Sequence, residues 1–342
     1  MNGAPAIGLD ITLYDVTLRD GQHAVAHQLN EEQIFRYAAA ADRAGVPVVE
    51  VGHGNGLGAS SLQIGRALTT DRAMLETARR ALTGAKLAAF LCPGLGTFGD
   101  VDLARECGVD VLRLGVHSTL VDFSESYVEK ILQSGLDCHA VMLMSHMASA
   151  DRLARSTALL AGYGCTAIGI MDSAGYLLPH EVGERIAAMA RAAPNAAISF
   201  HAHNNLGLAT ANSMAAIEAG ATIVDASARG FGAGAGNAQL EVVCAVAQRL
   251  GKRTGVDLNR YLTASELAAA ELVESFPLID SVSLVSGLAG VFSGFKRKVL
   301  KAADDYGVSP WDIFFELGRM QAIAGQEDLI PEAAGRVRKT AS

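Results

Sequence analysis

A chain of 342 residues is long enough for one large α/β barrel or for two ordinary domains. Half of its residues are hydrophobic and 19% are charged, a balance that excludes a disordered or fibrous chain and requires a sizeable buried core. Its 28 Lys and Arg against 36 Asp and Glu leave a net charge of −8, and no basic run is long enough to follow a phosphate backbone; nucleic acid and anionic membrane are therefore poor partners.

The chain opens on MNGAPAIGLDITLYD, which lacks a basic segment followed by an apolar core, and no later apolar run approaches the ~20 residues that cross a bilayer. The first strand is expected at residues 11–16, ending in the polar loop TLRDGQH (17–23). Helical apolar spacing follows over 31–44, a strand over 47–51 and a helix over 74–82. Further strands are expected at 86–91, 109–116, 137–144, 167–171, 197–202 and 223–226, each followed by an amphipathic stretch. Eight strand-then-helix units in about 250 residues match the size of a (β/α)8 barrel. A doubly wound sheet would carry a glycine-rich phosphate loop after its first strand, where this chain is ionisable instead. Residues 237–250 read as the last barrel helix and 251–255 as a linker. Beyond it, helical periodicity over 264–275, 288–306 and 311–322 predicts a helical appendage, with a polar tail at 335–342 expected to fray. The expected organisation is a barrel domain over 1–255 and a C-terminal helical domain over 256–342. Cys92, Cys107, Cys138, Cys165 and Cys244 are scattered with no CxxC pair, which argues against a disulfide framework or structural zinc and fits a reducing cytoplasm.

In a barrel of this kind the residues just past the strand ends converge on one mouth. Here they are Asp15, Arg19, Asp20 and His23; Glu50 and His53; His117; His146; Asp172 and Ser173; His201, His203 and Asn204; Asp225 and Arg229. In AISFHAH the period of two puts His201 and His203 on one face, so that with Asp20 across the mouth they form a plausible N2O half-shell for a metal. The bland reading has one histidine capping a loop and the other packed in the core. Arg19 either neutralises local acids or receives an anionic substrate oxygen. His23 is the one residue of the loop whose type has an unperturbed pKa near neutrality, which suits proton transfer; otherwise it is a loop residue before a helix. The glycine-rich residues 230–237 follow the eighth strand rather than the first; they are expected to form a flexible loop ending at Asn237 as a helix cap and partner of a metal ligand. Asp225 and Glu50 are expected either to brace the barrel interior or to act in catalysis.

TLRDGQH, VEVGHGNGLGASS, MLMSHMA, FHAHNNLGLATANS, GAGAGNAQLE and the tail GQEDLI together resemble the DRE-type TIM-barrel metallolyases, related to HMG-CoA lyase, and among them the 4-hydroxy-2-oxovalerate aldolase branch most. The resemblance spans nearly the whole chain. It implies a divalent cation, commonly Mn2+ with Co2+ or Mg2+ as alternatives, held by Asp20, His201 and His203 and chelating a 2-oxo acid. Arg19 would stabilise the enolate oxygen, Ser173 would help hold the carboxylate, and His23 would deprotonate the C4 hydroxyl to start retro-aldol cleavage. No lysine stands at a strand's C-terminal end, which disfavours a Schiff-base aldolase. The resemblance also implies an acylating aldehyde dehydrogenase as partner, with the aldehyde passed through a tunnel. A homo-oligomer is expected, and the apolar cluster of Trp311, Ile313, Phe314, Phe315 and Leu317 either carries a dimer or partner surface or packs ordinarily against the barrel. Three positions depart from the branch: Asn55 in GHGNGLG replaces Asp, Leu120 in HSTLVD replaces an acid, and Phe292 in GVFSGF replaces Tyr. These leave metal and base in place and alter the pocket beyond, so the aldehyde that Phe292 helps to bind need not be acetaldehyde. The alternatives are a Claisen-type acyl-CoA/2-oxo acid synthase of the same superfamily, disfavoured by GAGAG before Asn237, and a non-catalytic scaffold subunit of a dehydrogenase complex.

Overall fold

A computed structural model describes residues 9–273 and 276–341; Glu274, Ser275, the N-terminal residues 1–8 and Ser342, which enter the expectations above, lie outside them. Strands and helices alternate in chain order. They are β1 (Thr12–Asp15), α1 (Glu31–Arg43), β2 (Val48–Glu50), α2 (Asp71–Ala81), β3 (Lys86–Leu91), α3 (Phe98–Glu106), β4 (Val111–His117) and α4 (Glu125–Gln133). The second half adds β5 (Asp137–Leu143), α5 (Ala150–Gly162), β6 (Ala167–Asp172), α6 (Pro179–Ala192), β7 (Ala197–Ala202), α7 (Ala209–Glu218), β8 (Ile223–Ala226) and α8 (Leu240–Arg249). After these come α9 (Leu258–Glu271), α10 (Ser281–Leu288), α11 (Lys296–Tyr306), α12 (Pro310–Arg319) and α13 (Leu329–Ala341).

All eight strands pair in parallel and in order, and β1 closes on β8 with Leu13 opposite Val224, making the expected closed barrel. The near-continuous β-branched and apolar strands are buried on both faces because the helices cover the outside. Alternation along each strand then divides the side chains. Leu13, Val49, Leu87, Leu112 and Leu114 pack against the helices, whereas Tyr14, Val48, Ala88, Val111, Ala167 and Ile223 fill a layer inside the barrel. Helix starts follow their caps, as where Asn30 accepts from Gln33 N at 2.9 Å and the Gln33 side chain accepts from Asn30 N at 3.0 Å.

The helical appendage differs from the expectation in three ways. α9 starts at Leu258 and packs Tyr261, Ala264 and Ala268 into the barrel core. The stretch expected as one helix over 288–306 is broken, because Gly290 takes φ 65° and a short 3-10 turn at Ser293–Phe295 precedes α11. Residues 335–341 of the tail expected to fray continue α13, with Val337 buried. A second, separate core joins Val291, Phe295, Val299, Ile313, Phe314, Leu317 and Ile330. No helix among the described residues is long and apolar enough to cross a membrane.

Candidate metal centre and its cavity

The loop after β1 turns at once into a 3-10 segment, Asp20–His23, which brings Asp20 over the barrel mouth. His201 lies on β7 facing the interior, and His203, just past the strand's end, pairs its backbone with Asn237. Asp20, His201 and His203 each offer one ligand atom, and these atoms lie within 4.8 Å of one another. The other groups around them decide which atoms are free. His201 Nδ1 is 3.1 Å from Asp225 Oδ2, Asp20 Oδ1 accepts from Arg19 Nη1 at 2.7 Å, and Asp20 Oδ2 accepts from Asn237 Nδ2 at 2.8 Å. His201 Nε2 and His203 Nδ1 are buried without any hydrogen-bond partner among the described residues. Two orphaned imidazole nitrogens beside a buried carboxylate are costly unless something binds them, and a borderline-hard divalent cation is what this donor set suits. Gly232 permits the closeness: a Cβ there would run into both Asp20 Oδ2 and Asn237 Nδ2.

The protonation states agree. Burial alone would push the Asp20 carboxyl up, but the Arg19 guanidinium and the imidazoles of His203, His23 and His201 outweigh it and hold the group far below the usual carboxylate range. Burial brings the His203 imidazole down to about 3. At neutral pH the carboxylate is ionised and this imidazole neutral, the forms that bind metal.

Arg19 and His23 complete the mouth. Arg19 donates through Nε to Glu50, lies over the Phe90 ring at 4.9 Å, and keeps Nη2 buried without a hydrogen-bond partner among the described residues. His23 is partly open to the cavity, and the desolvation of its crowded surroundings holds its imidazole below the usual value, so it is neutral at pH 7. Its ring meets His27 edge-on at 5.1 Å and Phe292 at 6.2 Å. A cavity of about 440 Å3 joins Arg19, Asp20, His23, Ser173 and His203 to an apolar wall of Phe90, Leu120, Phe123, Leu143 and Phe292. Ser173 is present there, but its Oγ already accepts from Met144 N at 3.0 Å and reaches Met171 O at 3.4 Å. A second cavity of about 470 Å3, lined by His27, Ser293 and Lys298, shares His23, Asn55 and Phe292 with the first.

Other residues expected at the mouth go elsewhere. Asp15 faces the helices, accepting from Tyr37 Oη at 2.6 Å and Tyr261 Oη at 3.0 Å. Asp172 accepts from the backbone of Tyr176 and Leu177 and so braces its own loop. Arg229 is exposed beside Glu241, and Asn204 accepts from Ala209 N. Residues 230–237, expected as a flexible loop, make hydrogen bonds at the mouth: Ala233 N donates to Asp20 Oδ2 at 3.2 Å, and Asn237 N to Gly230 O at 2.9 Å. Asn237 is not a helix cap, since α8 begins at Leu240 after Gln239; the partnership with a candidate metal ligand is what the structure contains. Sequence reasoning passed over Arg113 altogether, although an arginine inside the apolar run VLRLGV had to be paired somewhere. It also passed over His27, which stacks on His53 at 3.7 Å.

These histidines predict acid lability. Burial depresses His27 to about 2 and both His53 and His146 to about 4. The unfolded chain, with imidazoles near 6.5, therefore takes up protons first, and stability falls as pH drops from about 6.5 towards 4. Each such imidazole contributes up to about 1.4 kcal/mol per pH unit. Buried Asp172, raised to about 6, works the other way over the same window and offsets about one of them. Urea midpoints at pH 7 and pH 5 check this; equal midpoints would refute it.

A closed parallel barrel with a carboxylate and two imidazoles converging at its mouth defines an α/β-barrel protein with a candidate metal centre. The chain belongs to the HMGL-like family, whose model matches residues 10–268, and residues 277–339 match the DmpG-like communication domain. It is 55% identical over 334 residues to the 4-hydroxy-2-oxovalerate aldolase of Serratia proteamaculans, covering 98% of this chain and 100% of that one. It is also 55% identical to the enzyme of that name from Streptomyces griseus, over 96% of this chain and 98% of the relative, and 49% identical to that of Spirochaeta aurantia, over 96% of each. In fold it is similar to the carboxyl transferase domain of Rhizobium etli pyruvate carboxylase solved with pyruvate and biocytin. That match has a TM-score of 0.81 at 17% identity and covers 98% of this chain and 61% of the other.

Proposed function

We propose that this chain is a divalent-metal-dependent aldolase that cleaves or forms 4-hydroxy-2-oxo acids of the 4-hydroxy-2-oxovalerate type, with pyruvate or a homologous 2-oxo acid and an aldehyde on the other side. The observation that carries the reading is the convergence of Asp20, His201 and His203 at the floor of a cavity that Asp20 and His203 line together with Arg19 and His23 and whose far wall is apolar. Asp20, His201 and His203 would hold the cation, Mn2+ first and Co2+ or Mg2+ as alternatives. When bound, it would polarise the 2-oxo group and stabilise the negative charge that develops on its oxygen.

The chain's own groups supply the rest. Neutral His23 accepts the proton of the C4 hydroxyl; the O–H electron pair becomes the C4 carbonyl, the C3–C4 bond breaks, and its electrons pass into the enolate of the 2-oxo acid. Arg19, fixed by Asp20 and Glu50, has Nη2 left to donate to a substrate oxygen. Protonation at C3 then gives the 2-oxo acid. Ser173 stands beside this site and would serve the carboxylate. The barrel, 1–255, would carry catalysis, with α9 packed on its outside, and the helical unit over 256–342 would carry contacts to an acylating aldehyde dehydrogenase or to a second copy of the chain. The test is pyruvate formation from 4-hydroxy-2-oxovalerate without CoA. Chelation should abolish it and Mn2+ restore it; a requirement for acyl-CoA, or full activity after chelation, would sink the reading.

Phe292 and Leu120 bear on the aldehyde. Both line the cavity, and neither offers a hydrogen bond at the aldehyde end. An apolar wall separates sizes by only ~1–3 kcal/mol per methylene, whereas a buried hydroxyl rejects mismatched partners more strongly. The native protein is therefore expected to use propanal and an aromatic aldehyde with kcat/KM at least equal to that for acetaldehyde, and Phe292→Tyr to shift the preference towards acetaldehyde. A native preference for acetaldehyde that is unchanged in Phe292→Tyr would refute the larger-aldehyde proposal.

A further inference from the structure

Beneath the three candidate ligands the barrel interior holds a continuous line of alternating charge. Arg19 donates through Nη1 to Asp20 at 2.7 Å and through Nε to Glu50. The other Glu50 oxygen accepts from Arg113 Nη1 at 2.6 Å, and Arg113 Nη2 donates to Asp225 Oδ2 at 2.8 Å. The same Asp225 oxygen lies 3.1 Å from His201 Nδ1. Asp20 and His201, which converge on one candidate metal position, are thus also the two ends of one chain of side chains that descends into the barrel and returns. None of its six members is more than 3% exposed.

Such a chain is an expensive way to fill a barrel. Burying two guanidiniums and three carboxylates costs more desolvation than the aliphatic layer of Val48, Ala88 and Val111 just below, and ion pairs of this kind are often no more stabilising than well-packed apolar residues. What they do supply is fixed geometry. The planar Arg113 fork, seated over the Tyr14 ring at 5.1 Å, spans two carboxylates from different strands at a set separation, which a single ammonium cannot do. One of those carboxylates orients the His201 ring and leaves its Nε2 free; the other fixes Arg19.

We propose that Arg113 is a positioning residue for the metal centre: by clamping Glu50 and Asp225 together it sets the His201 ring and Arg19 at once, without touching metal or substrate. Its effect on turnover rests on the reaction proposed above, but its effect on metal affinity does not. The experiment compares the full-length wild-type chain with Arg113→Lys and with the charge-balanced double variant Arg113→Met/Glu50→Gln. It measures Mn2+ dissociation constants by electron paramagnetic resonance, the melting temperature with and without Mn2+, and kcat and KM for 4-hydroxy-2-oxovalerate. Both variants are expected to bind Mn2+ about 10–100-fold more weakly, the usual cost of disturbing the outer partners of a metal ligand. They should also lose most of the Mn2+-induced rise in melting temperature and show lower kcat at saturating Mn2+. Mn2+ affinity within twofold of wild type, with only the metal-free melting temperature lowered, would show that Arg113 merely braces the barrel and overturn the proposal. Where Arg113→Lys does not fold, the double variant decides. Wild-type protein that binds Mn2+ but does not cleave the substrate would sink the proposed reaction and leave the Mn2+ comparison to judge Arg113.

Discussion

The His201→Ala protein is expected to lose aldol cleavage and to bind Mn2+ at least about 100-fold more weakly, since disturbing a mere outer partner already costs about 10–100-fold. At the candidate centre His201 contributes one of the two buried imidazole nitrogens that have no hydrogen-bond partner among the described residues, so its removal takes away one of the three converging ligand atoms. Asp225, relieved of His201, keeps its bond to Arg113 and stays paired, so the barrel should fold. Calorimetric Mn2+ titration and a pyruvate assay together check the expectation. Full activity in this variant would end the metal assignment.

His23→Ala should slow cleavage by roughly 10²–10⁴-fold, the usual worth of a positioned proton-transfer group. The metal ligands are untouched by this change, so Mn2+ affinity should hold while kcat falls, a split that separates the two roles. Deuterium exchange into pyruvate, which needs no proton from a C4 hydroxyl, should persist if water or another base serves that step. An unaltered cleavage rate would remove His23 from the mechanism.

The barrel is legible because eight apolar runs alternate with amphipathic stretches, and the strand-end rule brings Asp20, His201 and His203 together from the sequence alone. The same rule misplaced Asp15, because strand-end position says nothing of face: Tyr14 points inward, so its neighbour must point out to Tyr37 and Tyr261. Arg113 was missed for the opposite reason, since it sits mid-strand and its partners, Glu50 and Asp225, lie far off in sequence on strands that only barrel closure brings near. The polar tail misled because its three charges, Arg336, Arg338 and Lys339, outnumber its buried Val337, and that side chain shows its value only once Ala333 and Ala334 have seated α13 against α11 and α12.

The two separate cores mean that the molecule is under no obligation to melt in one cooperative step. The smaller one, within α10–α13, is tied to the barrel through polar contacts such as Asn205 to Ser283 O, Ser286 and Ser293. It also carries Phe292, Ile323 and Ala324, part of the cavity wall, whereas Asp20, His201 and His203 are all held by barrel elements. Warming should therefore uncouple the two properties of the site: the helical unit loosens first and opens one side of the chamber to water, so catalysis fades while the cation is still retained.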